Sequence, residues 1–234
     1  MMKKAALFVL PAKLLQRLQL VRKQSRNFKS IAKVYGQWRS IIEGDSVDSN
    51  ADPIPWYTYP AVEYLSHLDL TRFKVFEYGS GNSTIWWAKR AKQVTSVEDD
   101  EGWYKKINNR IERDFYKISY VFEKDPVRYS TIATNDFDIF IVDGNYRREC
   151  LEHVVGLGGG VMLILDNSDW YPKAVRFIQE TLGWVQVDFH GFGPINDYTW
   201  ITSIFINPAR HSELSYRMSL KSARGLAQIA VGDY

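Results

Sequence analysis

The chain has a single cysteine, Cys150, among 234 residues, so it can form neither an internal disulfide nor a structural zinc–thiolate site, and it requires no oxidising compartment. It also lacks any run of the roughly 18 apolar residues that a membrane-spanning helix needs. Acid is missing from the first part of the chain: residues 1–40 hold ten Lys and Arg and no Asp or Glu. That stretch carries +10 and the remainder −7, within a net charge of +3. Internal repeats and low-complexity tracts are absent too. What is present, 45% hydrophobic and 15% aromatic residues, suffices for one sizeable α/β domain with an appendage.

The appendage is residues 1–42, which read as a basic helical arm. Leu14, Leu18, Val21, Phe28, Ile31, Tyr35 and Trp38 follow one another at spacings of three, four and seven, the mark of a helix with one apolar stripe. Lys3-Lys4 before Ala5 to Leu10 resembles the start of a signal peptide, but the apolar core is short and Pro11-Ala-Lys13 is a poor cleavage site. A cytoplasmic protein is therefore expected, peripheral to the membrane if the arm meets lipid. Such an arm can lie on an anionic membrane surface or dock on the acidic domain; nucleic acid is the least favoured partner. Residues 43–55, polar with two prolines, read as a linker. Residues 56–207 form the main domain and 208–234 a C-terminal tail, partly helical.

The main domain is organised around residues 74–87, where the apolar run Lys74-Val-Phe-Glu-Tyr78 passes through Gly79-Ser80-Gly81 into a helix. Glycines there let the backbone approach a ligand, and the first free N–H groups of the helix, from Ser83 onward, face whatever sits above the turn. Three details select the ligand. Thr84 stands where a dinucleotide fingerprint has its third small residue, and the Gly-Lys-Ser/Thr of a phosphate loop is absent. Glu77 would repel a pyrophosphate but suits the ammonium of an amino-acid moiety. Glu98, closing a second apolar run, can accept hydrogen bonds from a ribose diol. Together they favour S-adenosylmethionine over NAD or ATP.

On Glu77-Tyr-Gly79-Ser-Gly81 and Glu98, roughly residues 55 to 207 resemble the class I S-adenosylmethionine-dependent methyltransferases. The alternation of strands and helices agrees: strands at 93–98, 117–122, 137–143 and 160–165, with helices at 83–91, 100–113 and 147–157 between them. A final hairpin of 184–189 and 199–206 resembles the family's antiparallel last pair. The expected fold is α/β, a doubly wound, seven-stranded, mostly parallel Rossmann-like sheet with an antiparallel last strand, binding ligands at the carboxyl ends of its strands. Trp56, Tyr57 and Tyr59, ahead of the first strand, are either a lid over the cleft or core.

Asp143, Asp166 and Asn167 offer three oxygen ligands at the ends of adjacent strands, a donor set that suits Mg²⁺ or another hard divalent cation; as the alternative, Asp166-Asn167 is a turn or helix cap. Ile139-Phe-Ile-Val-Asp143 with Leu165-Asp166-Asn167 resembles the cation-dependent O-methyltransferases, catechol and sugar types. The resemblance implies O-methylation of a hydroxylated small molecule or glycan. It departs at Tyr146, where catechol-type enzymes carry Lys, so the general base stays open among Tyr146, Lys173 and His190, with Asp143 at the reaction centre. Arg147 and Arg148 are either anchors for an anionic acceptor or solvated helix-start residues. The rival expectation is a catalytically silent methyltransferase-fold module, recruited to a membrane or partner by the arm.

Overall fold

The structure, a computed structural model, describes residues 11–111, 117–158 and 160–216. Seven strands form one sheet: β1 Lys74–Tyr78, β2 Gln93–Glu98, β3 Ile118–Phe122, β4 Ile139–Val142, β5 Met162–Asp166, β6 Val185–Gly191 and β7 Trp200–Ile206. Their spatial order is β3-β2-β1-β4-β5-β7-β6. The first five pair in parallel, and β7 runs antiparallel to both β5 and β6. The expected doubly wound sheet with an antiparallel last strand is borne out.

The central strands show why. Ile139-Phe-Ile-Val142 and Met162-Leu-Ile-Leu165 are unbroken apolar runs buried throughout, as strands covered on both faces must be. Alternate residues feed two cores. Val75, Ile139, Ile141 and Ile164 face Leu65, Trp86 and Trp87 from α3 (Tyr59–Ser66) and α4 (Asn82–Ala88). Phe76, Phe140, Val142 and Leu163 face Leu151, Val154 and Ile178 from α7 (Arg147–Gly156) and α8 (Pro172–Leu182). The direction of winding reverses between β1 and β4, and the residues that follow them open the crevice where such sheets bind ligands.

Two helices have no counterpart in the sequence reading. α6 (Pro126–Thr131) is capped by Asp125, which accepts the Arg128 N–H at 2.9 Å, with Pro126 opening it; α8 starts on Pro172 and ends at Gly183 with φ 61°. Both open on proline, and α8 also has the glycine exit. The remaining helix of the sheet domain, α5 (Glu101–Ile111), follows β2.

The arm comprises α1 (Ala12–Lys29), a π-helical turn at Ser30–Val34 and α2 (Gln37–Glu43). None of the α1 residues is buried, whereas Ile31 and Tyr35 pack on the first core. The stretch read as a linker is packed in: Ser46, Val47, Asp48 and Ile54 are buried, and the Ser40 hydroxyl donates to the Val47 carbonyl at 2.6 Å. Of the C-terminal tail, 208–216 carry a single turn of 3₁₀ helix at His211–Glu213; its helical expectation beyond 216, the signal-like residues 3–10 and the end of the 100–113 helix lie outside the described residues. No helix among the described residues is long and apolar enough to cross a membrane.

Candidate functional site

The turn after β1 is held by a chain of hydroxyls. Thr84 Oγ1 accepts the Gly81 N–H at 3.1 Å and donates to Glu77 Oε2 at 2.5 Å, and Ser96 donates to the same oxygen at 2.9 Å. Thr84 thus fastens the buried carboxyl to the turn above it, a task the glycine of a dinucleotide fingerprint cannot perform. Gly79 has φ 85°, and a Cβ there would stand 2.5 Å from the backbone of Gly144, the residue after Asp143. The ends of β1 and β4 therefore touch backbone to backbone.

Glu77 itself is fully buried. Burial raises its carboxyl to about 7 against an ordinary 4.5, opposed by the hydroxyls of Ser83, Thr84 and Ser96. Its Oε1 is buried without a hydrogen-bond partner, a costly condition unless a ligand completes it. Because the folded value is raised, the group favours folding below pH 4.5, and that contribution is lost as pH rises through 7. The loss amounts to roughly 3 kcal/mol for a full shift of this size. Chemical denaturation of ligand-free protein should thus show lower stability at pH 8 than at pH 5.5, and Glu77→Gln should be more stable than the wild type at pH 8. An unchanged pH slope in Glu77→Gln would remove Glu77 as its source.

Glu98, at the end of β2, is fixed on both oxygens: Oε2 accepts from the Ser80 N–H at 3.0 Å and Ser80 Oγ at 2.8 Å, and Oε1 from the N–H groups of Asp99 and Asp100 at 3.1 Å. Trp103 Nε1 donates to the Ser80 carbonyl at 2.7 Å. Two clefts open over these elements. One of about 260 Å³ is polar, lined by Gly79, Glu98, Asp99, Gly144 and Asn145. The other, about 440 Å³, is walled by Ser83, Trp56, Trp170, Tyr198 and Trp200. They share Ser80, Trp103, Asp143 and Arg147. Of the aromatic stretch before α3, only Trp56 lines a cleft; Tyr57 and Tyr59 are buried core.

Asp143, Asp166 and Asn167 do converge, but on a guanidinium. Arg147 Nη2 donates to Asp143 Oδ1 at 3.0 Å, Nη1 to Asn167 Oδ1 at 3.2 Å and to the Asp166 carbonyl, and Nε to the Gly144 carbonyl at 3.0 Å. The Asp166 side chain turns the other way, its Oδ1 accepting from Trp200 Nε1 at 3.1 Å and from Thr202 Oγ1. Of the expected metal set, Arg147 takes Asp143 Oδ1 and Asn167 Oδ1, two of the oxygens a divalent ion would use, and the Asp166 carboxylate is turned to Trp200 and Thr202. Among the described residues no cluster of three His, Cys, Asp or Glu offers another metal site. Arg147, left open between an acceptor anchor and a solvated residue, is not solvated: it ties the strand ends together and lines both clefts, while Arg148 is exposed and pairs with Glu152.

Asp143 keeps 22% of its side chain exposed. Burial lifts its carboxyl to about 6, with Arg147 pulling downward; Asp166 is raised further by burial and the charge of Asp143. The other base candidates lie elsewhere. His190 sits on edge strand β6, bonded to Thr199 Oγ1 at 3.2 Å. Tyr146 caps α7 with φ 51°, its ring against Tyr129, and Lys173 lies beside Arg148 and Phe177. None of the three lines either cleft over the strand ends.

One wall was not visible in sequence. Asn82 Nδ2 donates to Asp45 Oδ1 at 3.1 Å and to the Ser46 carbonyl at 2.7 Å, and Arg110 bridges Asp45 Oδ2 at 2.6 Å and Asn82 Oδ1 at 2.8 Å. Gln37 donates to the carbonyls of Gly193 and Asn196 at 3.0 and 3.1 Å. Gly44, Asp45, Ser46 and Asn196 all line the larger cleft, so the end of the arm and the β6–β7 loop form part of it. The signal linking them is tertiary and has no sequence spacing.

The polar lining of the smaller cleft, with Glu98 and Ser80 on one side and Gly79 and Gly144 on the other, is compatible with S-adenosylmethionine, and Glu77 Oε1 is buried without a partner beneath the turn, though Glu77 lines neither cleft. No family model matches the chain, and no curated protein matches it. Among solved structures, it is similar to the N-methyltransferase NodS of Bradyrhizobium japonicum WM9, solved with S-adenosyl-L-homocysteine, at 18% identity and TM-score 0.46 over 59% of this chain and 79% of that one. TYW2 of M. jannaschii, solved with AdoMet, matches at 13% identity and TM-score 0.47 over 68% and 79%. The 23S rRNA methyltransferase ErmE matches at 16% and 0.48 over 64% and 67%. The fold assignment rests on strand order and direction rather than on these likenesses.

Proposed function

We propose that the chain is an S-adenosylmethionine-dependent methyltransferase acting on oxygen, with a hydroxylated small molecule or sugar as acceptor. The observation that carries this reading is the meeting of a polar cleft and an aromatic cleft at Asp143. Glu98 would hold a ribose diol in exchange for its bond from Ser80 Oγ, and the Gly79–Gly81 turn would pass close to the amino-acid moiety, with Glu77 buried beneath the turn. Bound S-adenosylmethionine supplies an electrophilic methyl group. The chain's own residues do the rest. Trp56, Trp170 and Tyr198 present broad faces that suit the C–H faces of a sugar or an aromatic ring, and with the Asn196 loop they orient the acceptor and exclude water. Asp143, at about 6, is largely ionised at neutral pH and lines both clefts, so it would take the proton that an acceptor hydroxyl loses. His190 and Tyr146 have no place in this scheme, and no step runs through a metal.

Isothermal calorimetry should therefore show S-adenosylmethionine binding in the micromolar range, and turnover on a hydroxylated acceptor pool should survive excess chelator. Absence of binding by the wild type would end the reading. Binding without turnover on any acceptor would favour the silent module, and loss of turnover on chelation would restore a metal that Arg147 must first vacate.

A further inference from the structure

We propose that α1 and α2 form an interfacial anchor that seats the protein on an anionic phospholipid surface. In α1, Leu14, Leu18, Val21 and Phe28 fall within about 80° of the helix perimeter at 100° per residue, and all four are exposed. Arg17 borders this strip on one side, Arg22 and Lys29 on the other. The strip continues onto α2: the Phe28 ring meets that of Trp38 edge-on at 6.1 Å, and Trp38, Ile41 and Ile42, at helical spacings of three and four, are exposed at 51%, 53% and 70%.

Residues 12–42 hold eight Lys and Arg and no acid, seven of them on α1 and the turn that follows, while Arg39 on α2 pairs with Glu43 at 3.7 Å, so the positive rim belongs to the α1 part of the strip. An anionic lipid surface answers both features: the strip enters the acyl boundary while each cation gains roughly 1 kcal/mol near the headgroups. Nucleic acid would use the charge but has no use for the segregated strip. A second copy is disfavoured by the same residues, because two such helices side by side would set Arg17, Arg22 and Lys29 against their own kind, over 18 residues where coiled coils need three or more heptads. Docking on its own domain is not what α1 does, since none of its residues is buried. The anchor is also joined to the acceptor cleft without a spacer: Gln37 starts α2 and holds the Asn196 loop, and Gly44, which follows its last residue, lines the cleft.

The test uses the full chain and sedimentation with vesicles of phosphatidylcholine, with and without phosphatidylglycerol. The expected result is a preference of at least about tenfold for the anionic vesicles, lost in high salt. Leu18→Glu/Val21→Glu should lower partition by about tenfold or more while melting temperature and S-adenosylmethionine affinity stay unchanged, because neither side chain touches the core. Arg22→Gln/Lys23→Gln should weaken binding to anionic vesicles only. Equal partition to both vesicles would overturn the proposal. So would a lipid-free dimer in light scattering that Leu18→Glu/Val21→Glu dissolves, or duplex RNA binding that the same variant leaves intact.

Discussion

Gly79→Ala is expected to abolish measurable S-adenosylmethionine binding and to lower the melting temperature by roughly 10 °C. Two costs add. A side chain at φ 85° carries about 1–2 kcal/mol of backbone strain. The added Cβ would also stand 2.5 Å from Gly144 N and Cα and 2.9 Å from the Asp143 carbonyl carbon, all backbone atoms that no rotamer change can move. Overpacking of this kind costs about 1–3 kcal/mol, and at roughly 2–4 °C per kcal/mol for a chain of this size the sum gives the stated shift. Relief requires β1 and β4 to part at the point where the winding reverses, which shifts the turn proposed to hold the cofactor. Gly183→Ala is the matched control. Gly183 has φ 61°, yet a Cβ there meets nothing within 4 Å, so that variant should show the strain alone, a small drop in melting temperature with unchanged affinity. Calorimetry and thermal melts on the two variants separate conformation from contact; equal behaviour would mean that the Gly79–Gly144 approach is not what forms the site.

The legible part of this protein was the part that local chemistry writes. β2 has the bounds read for the strand at 93–98, around Val94 and Val97 and ending at Glu98. Strand alternation follows from Val75, Phe76, Ile139 and Phe140 serving opposite cores. Glu98 and the Gly79–Gly81 turn stand over a cleft, as their positions at strand ends imply. What sequence hid was orientation and distance. Asp143, Asp166 and Asn167 look like a ligand set as long as Arg147 is read as a helix-start residue facing solvent; one helical turn instead folds it back over Asp143, and its fork reaches across to β5. The stretch 43–55 looked like a linker because it is polar and holds two prolines, but its polar groups are spent on Asn82, Arg110 and its own turn. Asp125-Pro126 is a helix start that residue pattern alone could have revealed.

Arg147→Met is expected to cost about 3–5 kcal/mol of stability, the usual penalty for removing one partner of a buried ion pair. The side chain is 12% exposed and carries the donors that satisfy Asp143 Oδ1, Asn167 Oδ1 and the carbonyls of Asp143, Gly144 and Asp166. Methionine keeps much of the bulk and none of these bonds. Two carboxyl groups, each already raised by burial, are then left without this cation, and Asp143 loses the charge that held it down to about 6. On the proposed mechanism the consequence is specific: the acidic limb of the pH–rate profile should move upward, and turnover at pH 7 should fall by roughly 100-fold, in the range expected for losing a positioned base, with part of it recovered at pH 9. A purely structural role would lower turnover equally at all pH values. Arg147→Lys keeps the charge without the planar fork, so it should restore the position of the limb while recovering little of the stability. Retention of both melting temperature and turnover in Arg147→Met would show that Asp143 is set by something other than this guanidinium, and would reopen the oxygen triad to a divalent cation.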